Sequence, residues 1–374
     1  MHSPPRRWSL DHNPLSGLTL GRWWRVLRDN RFDFDVIYAH RVAFLTALSA
    51  FNSLWAGVES LRFGGAIRRA RVRLDPVFIL GHWRSGTTHL HNLLSLDDRL
   101  AFPSTFAVVN PFSFLTTQGW LPRLMSPLLP ETRPMDNMAM SFEGPQEDEL
   151  ALSLICGLSL YLSLSFPRQA SRYDRYLTFA GVPADEVERW KQAFLWFTAK
   201  LSVGHDRPIV FKSPGHTARV KLLLEMFPQA RFVHIHRNPY EVFQSSRHYF
   251  HTAAWHANLQ ALDADGFDDA ILNRYVALHE AYLSQRNLIP SGRLHELGFA
   301  ALESDPLGEL RRMYGALDLG DFAAVEGKAR TYLDSIAGYR RNEHRPLAEA
   351  DRRRVAQRWG RCFEAFGYSP ETSS

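Results

Sequence analysis

An α/β fold is predicted for this chain of 374 residues: a P-loop-related parallel sheet flanked by helices, with large helical insertions and a helical N-terminal extension. Three observations predict it. In "PVFILGHWRSGTTHLHNLLSL" (76–96) a short apolar run ends at Gly81, a polar glycine-bounded loop follows, and a helical pattern begins at Thr87 and Thr88. The same alternation returns in "RPIVFKSPGHTARVKLLLEMF" (207–227) and again in "ARFVHIHRNPYEVFQSSRHYF" (230–250). Short apolar runs alternating with helical segments are the pattern of parallel strands covered by helices.

Taken in order, residues 1–75 read as a helical and irregular extension packed on or beside the core, and residues 76–374 as a single domain. The start, "MHSPPRRWSLDHNPLSG", has no apolar core of a signal peptide. The longest apolar run, "VAFLTALSAFNSLWAGV" (Val42 to Val58), falls short of the roughly 20 residues a membrane span needs and carries Asn52. Phe44, Leu48, Phe51, Trp55 and Val58 recur there at helical spacing. A buried or interfacial amphipathic helix is expected, with peripheral contact to a membrane as one use of the N-terminal helices.

Residues 101–206 hold proline-rich turns and helices, among them "DEVERWKQAFLWFTAKL" with an apolar stripe of Val187, Trp190, Phe194, Phe197 and Leu201. After residue 250 the chain reads as mostly helical, and its last helix sets Val355, Trp359, Phe363 and Phe366 on one face. Such stripes are ordinarily core. The 44 basic and 39 acidic residues leave a net charge of only +5, too little to argue for nucleic acid. Cys156 and Cys362 are the only cysteines, so no disulfide framework or zinc site is expected, and a reducing, cytoplasmic setting is.

The first loop is built for an anion. Gly86 and its small neighbours Ser85, Thr87 and Thr88 let the backbone bend closely, and amides at a helix N-terminus point at the ligand. Arg84 adds a two-pronged donor. A nucleotide-hydrolysing loop places a lysine where this chain has Thr87, and no strand ends in a clear magnesium-binding aspartate. Strands two and three end instead in Lys212 and Arg237, so a second anionic group is expected at the carboxyl edge of the sheet. Ser245 lies eight residues after Arg237, about two turns into the next helix, where both can reach one phosphate.

These residues resemble the sulfotransferases that use 3′-phosphoadenosine 5′-phosphosulfate (PAPS), and in particular a bacterial branch of that family. Arg84-Ser85-Gly86-Thr87-Thr88 matches the family's 5′-phosphosulfate loop, and Arg237 with Ser245 matches its 3′-phosphate site. The likeness is good over residues 70–250 and looser beyond. It implies sulfuryl transfer from PAPS to an acceptor hydroxyl or amine by in-line displacement, with no metal. Arg84 and Lys212 would face the charge that develops in transfer, a plain strand-end surface lysine being the lesser alternative for Lys212. The base is left open: the histidine of some members falls on Pro214 here, so Glu147 ranks first, then His216, then Glu149. The family's late basic segment falls on "YRRNEHRPL" with Arg340 and Arg341 as candidates for the 3′-phosphate. His82, His89 and His91 share no common face, and a metal site is not expected. The aromatic stretches "FAVVNPFSFL" and "GLSLYLSLSFP" read first as core and only second as the lining for a lipid-like or phenolic hydroxyl acceptor. A small-molecule kinase and a non-catalytic nucleotide- or membrane-binding relative are the alternatives.

Overall fold

The computed structural model describes residues 9–10, 13–125, 141–252, 254–261, 266–338 and 346–371. Four strands form one parallel sheet: β1 (Val77–Leu80), β2 (Val210–Lys212), β3 (Arg231–His236) and β4 (Leu294–Gly298), in the order β2-β1-β3-β4. The register sets Ile79 beside Lys212, Leu80 beside His234 and His236 beside Gly298. The loops leaving β1, β2 and β3 therefore open on one edge.

Side chains alternate across a strand, so β1 feeds two cores. Phe78 and Leu80 face one side, where Phe78 stacks between Phe211 and Phe232 at 5.5 and 5.6 Å. Val77 and Ile79 face the other, with Val210, Val233 and Ile235. Every residue of β1 and β2 is buried, which is why both read as continuous apolar runs. Strand β4 departs from the expectation of helix after residue 250. It lies at the sheet edge, its LHELG is largely half-buried or exposed, and no apolar run marks it.

The insertion helix Ala184–Leu201 buries Trp190, Phe194 and Phe197 as its stripe predicts. The last helix, Glu349–Ala365, buries Val355, Trp359 and Phe363, and Trp359 stacks on Tyr275 at 3.6 Å. Two N-terminal helices, α1 (Leu20–Asp29) and α2 (Ala39–Arg69), join the main core through Trp23, Val26, Leu27 and Leu45. In α2 it is the polar stripe that meets the protein. Arg41, Leu45, Ser49, Asn52 and Glu59 are buried, while Phe44, Phe51 and Val58 are exposed.

Candidate active site

The loop from Gly81 to Gly86 runs from β1 into α3 (Thr87–Leu94). Two of its glycines are dictated by space. Gly81 has φ +147°, and a Cβ there would strike the Ile235 carbonyl; Gly86 has φ +100°, and a Cβ would strike the Phe299 ring. Thr217 anchors the start of the loop, accepting from the Gly81 amide at 2.7 Å and donating to the Gly81 carbonyl at 3.2 Å. The Ser85 hydroxyl donates to the His82 carbonyl at 2.7 Å. Arg84 sits at φ +70°, a left-handed conformation seldom taken by a residue with a side chain. No side chain caps α3, so its first amides face the loop's concavity.

The two distant motifs meet here. Arg84 donates from Nε to the Ser245 hydroxyl at 2.9 Å, across 161 positions of sequence, and Arg237 donates from Nη1 to the Arg84 carbonyl at 3.3 Å. Arg237 also lies over the Phe299 ring at 4.7 Å and donates to Glu241 at 2.7 Å. Phe299 follows β4 directly, so the unforeseen fourth strand supplies a ring that backs both Gly86 and Arg237.

At the other end of the edge, Lys212 closes β2 and reaches Glu147 at 2.8 Å, with Thr88 Oγ1 at 3.4 Å. Glu147 precedes the helix Asp148–Cys156, and three consecutive acids take three directions from its first turn. Glu147 goes to Lys212 and Tyr161. Asp148 accepts from Ser213 at 3.1 Å and meets His216 Nε2 at 2.6 Å. Glu149 pairs with Arg219 at 2.6 Å and accepts from Ser159 at 2.6 Å. Helical rotation of about 100° per residue separates them, and only Glu147 of the three keeps appreciable exposure.

That geometry sets the three candidates for the base in different surroundings. His216 is fully buried, bound to Asp148 and stacked on Phe194 at 5.3 Å. Glu149 is likewise sealed with Arg219. Arg340 and Arg341 lie outside the described residues. His82 packs on Tyr275 and His279, His89 on Tyr332 and His91 against Phe102, three separate surroundings. Among the described residues no group of three His, Cys, Asp or Glu is arranged to hold a metal.

A residue missed from sequence completes the picture. Tyr161 donates to Glu147 and accepts from the Trp83 indole at 2.9 Å, tying the loop to the acid. Burial, then the Glu147 charge, pushes the phenol well above its ordinary range, so it stays a donor. Its signal, one tyrosine in the aromatic run "GLSLYLSLSFP", is indistinguishable from core without the fold. Burial also holds His82 down at about 4, against a hydrogen bond to the Trp83 carbonyl, which keeps a neutral imidazole inside the loop.

With this geometry in place, comparison with known proteins is direct. A family model described as Sulfotransferase family matches residues 76–323. The chain is 36% identical over 368 residues to the omega-hydroxy-beta-dihydromenaquinone-9 sulfotransferase Stf3 of Mycobacterium bovis, covering 98% of this chain and 94% of that protein. Among solved structures, sulfotransferase STF9 from Mycobacterium avium superposes with a TM-score of 0.66 at 16% identity, over 96% of this chain and 98% of that one. Sulfotransferase STF1 from Mycobacterium tuberculosis gives 0.58 at 17% identity, over 94% and 93%. These two likenesses show the same fold.

Proposed function

Since this chain belongs to the sulfotransferase family and is an enzyme of sulfuryl transfer, we propose that PAPS is its donor and a lipophilic alcohol its acceptor. The Arg84–Ser245 hydrogen bond at 2.9 Å carries the first half of this reading. It joins a phosphosulfate-type loop to a phosphate-type arginine–serine pair within one site, as a nucleotide with phosphates on both sides of its ribose requires. The kinase alternative has no support from Lys212, which closes β2, or from Arg237, which follows β3.

In this reading the acceptor oxygen attacks sulfur in line with the leaving 5′-phosphate oxygen. The O–S bond to the acceptor forms, the S–O bond to the phosphate breaks, and its electron pair stays on the phosphate. Glu147 takes the hydroxyl proton, so the products are a sulfate ester, adenosine 3′,5′-bisphosphate and a protonated carboxyl. Lys212 holds one oxygen of Glu147 and Tyr161 the other, which fixes the base without a mobile rotamer. Arg84, the α3 amides and Lys212 face the charge that grows on the bridging oxygen; positioned cations of this kind supply much of the catalysis in such displacements. Arg237 and Ser245 read the 3′-phosphate.

The acceptor rests on the relative whose printed name is a sulfotransferase of a hydroxylated menaquinone derivative. Tyr161, Trp83 and the surrounding Leu160, Leu177 and Leu150 put an apolar wall beside Glu147. Two free cysteines, neither in a disulfide among the described residues, fit a cytoplasmic setting. The test has two steps. Adenosine 3′,5′-bisphosphate should raise the melting temperature with no metal added, whereas ATP with magnesium should not. Labelled sulfate should then pass from PAPS to a hydroxylated prenyl quinol. Stabilisation by magnesium-ATP alone sinks the donor, and transfer confined to small polar alcohols sinks the acceptor.

A further inference from the structure

Helix α2 turns its polar side to the protein and its apolar side to solvent. Between Val36 and Leu61 the only Asp, Glu, Lys or Arg are Arg41 and Glu59, and both are buried. Outward point Phe44, Phe51, Leu54, Val58 and Leu61, with Leu54 64% and Leu61 91% exposed. Ala43, Ala47, Ala50 and Gly57 fill the same exposed face. Trp24 of α1 and Trp120, which packs on Trp55 at 5.2 Å, extend it sideways. Of fifteen exposed large apolar side chains among the described residues, twelve lie between Leu10 and Leu74. A concentration of that kind marks a partner surface rather than ordinary scatter.

The structure also fixes how the helix can be used. It is long and apolar enough to cross a membrane, but it is pinned to the body along its length. Arg41 donates to the Trp255 and Asn258 carbonyls at 3.0 and 2.8 Å. Asn52 donates to the Ser16 and Leu18 carbonyls at 2.7 and 3.0 Å. Glu59 accepts from the Thr116 amide at 3.0 Å and pairs with buried Lys200. A helix whose buried stripe holds a folded domain by such bonds lies on a bilayer and does not span it.

Charge selects the occupant. Residues 20–73 carry ten arginines against four carboxylates, a net +6 where the whole chain has +5. Asp33 and Asp35 are taken by Arg168 and Glu59 by Lys200, while Asp29 pairs with Arg28, and Arg71 and Arg73 meet Asp206 and Asp75. Arg25, Arg28 and Arg31 lie exposed near one end of the apolar face, and Arg62, Arg68, Arg69 and Arg71 at the other. A second copy would bring the same cationic rims against these, at a cost. We propose that the α1–α2 face docks the enzyme on an anionic lipid bilayer, with the apolar side chains in the acyl boundary and the arginines among the headgroups.

This deepens the lipid-acceptor reading and rests on it for its purpose. Arg22 of α1 donates to the Ile155 carbonyl near the end of the Asp148–Cys156 helix, whose other end carries Glu147. The docking face and the base are thus linked by one helix about 13 Å long.

The full chain is tested by co-sedimentation with vesicles of phosphatidylcholine, alone or mixed with phosphatidylglycerol. Binding should be at least tenfold tighter to the anionic vesicles. The double change Leu54→Glu with Leu61→Glu should weaken it at least tenfold while leaving the melting temperature and bisphosphate binding intact. Arg68→Ala with Arg69→Ala should remove most of the preference for phosphatidylglycerol. Failure of the wild type to bind anionic vesicles overturns the proposal, as does wild-type binding by the glutamate variant. A lipid-free dimer that the glutamate variant dissolves, without vesicle binding, overturns it in favour of self-association. Vesicle binding without sulfation of any lipid upholds the docking and retires the acceptor.

Discussion

The protein contains two buried lysine–glutamate pairs whose surroundings differ in one respect. Lys200 and Glu59 sit deep between the insertion and the N-terminal helices, and Lys212 and Glu147 at the edge of the sheet. Both lysines are fully buried, but the Glu59 side chain is 2% exposed and Glu147 14%. Lys200 lies against the rings of Phe114 and Trp196 at 4.6 and 4.8 Å and also donates to the Pro111 carbonyl. Burial lowers it to about 8 and raises Glu59. Glu147 shares its charge with Tyr161 and keeps an opening for a third partner. Burial alone therefore does not mark function. A charge pair that is complete holds the fold, and one that leaves a side open to a ligand can do chemistry.

The largest expected effect tests the closed pair. Lys200→Ala strands Glu59 without a counter-charge, and urea unfolding should show a loss of about 3–5 kcal/mol. Lys200→Met combined with Glu59→Leu should recover most of it; a double variant as unstable as the single one breaks the comparison. At the open pair the same change should read out in rate. Lys212→Ala and Arg84→Ala should each lower turnover on the order of 100-fold, with the melting temperature nearly unchanged. Glu147→Gln should slow transfer and remove the acidic limb of the pH–rate profile. A large loss of stability in Lys212→Ala would make the two pairs alike.

His82 sharpens the comparison from inside the functional loop. It is sealed like Lys200, and its imidazole stays neutral down to about 4. Its folded value lies below the unfolded one near 6.5, so the unfolded chain binds the proton first as pH falls. Its contribution is intact above pH 6.5 and is lost toward pH 4, by on the order of 3 kcal/mol. Substitution by Asn should flatten that part of a stability–pH curve; an unchanged slope would place the loss elsewhere, His236 being held at about 4 as well. The smallest effect belongs to the nucleotide. Arg237→Ala should weaken adenosine 3′,5′-bisphosphate by ~2 kcal/mol, and Ser245→Ala by ~1 kcal/mol, relative to an analogue without the 3′-phosphate. Titration calorimetry with both ligands reads the difference, and equal weakening of both ligands would remove these residues from that phosphate.

Much of this was legible in the chain, for reasons that also explain what was not. Strands β1 to β3 announce themselves because a parallel strand under helices must be apolar on both faces. Strand β4 is covered less, needs no such run, and took Phe299 out of view with it. The eight-residue step from Arg237 to Ser245 is local geometry, and the structure has both at the Arg84 loop. Tyr161 is a tertiary partner, and nothing in its neighbours distinguishes it from Tyr173 or Tyr176. The acids 147–149 could be ranked as bases but not told apart by surroundings, since a helix's rotation sends them to three destinations only once the body is built around them. For α2, periodicity reveals that an apolar stripe exists and is silent on which stripe meets protein.

The order of the strands has a cost during synthesis. Central β1 pairs with β2 through Val77 and Val210, 133 positions later, and with β3 later still. At ribosomal rates of about 5–20 residues per second, β1 waits roughly 7 to 27 s for its first neighbour. In that interval an unpaired VFIL segment, apolar on both faces, follows the apolar helix α2 after only the short stretch 70–76. Both are hazards for aggregation, and the long sequence separation of the paired strands makes the closing step slow. Until residues beyond 230 complete the sheet, the nascent chain therefore carries two uncovered apolar segments at once, and only the strand is sealed by folding.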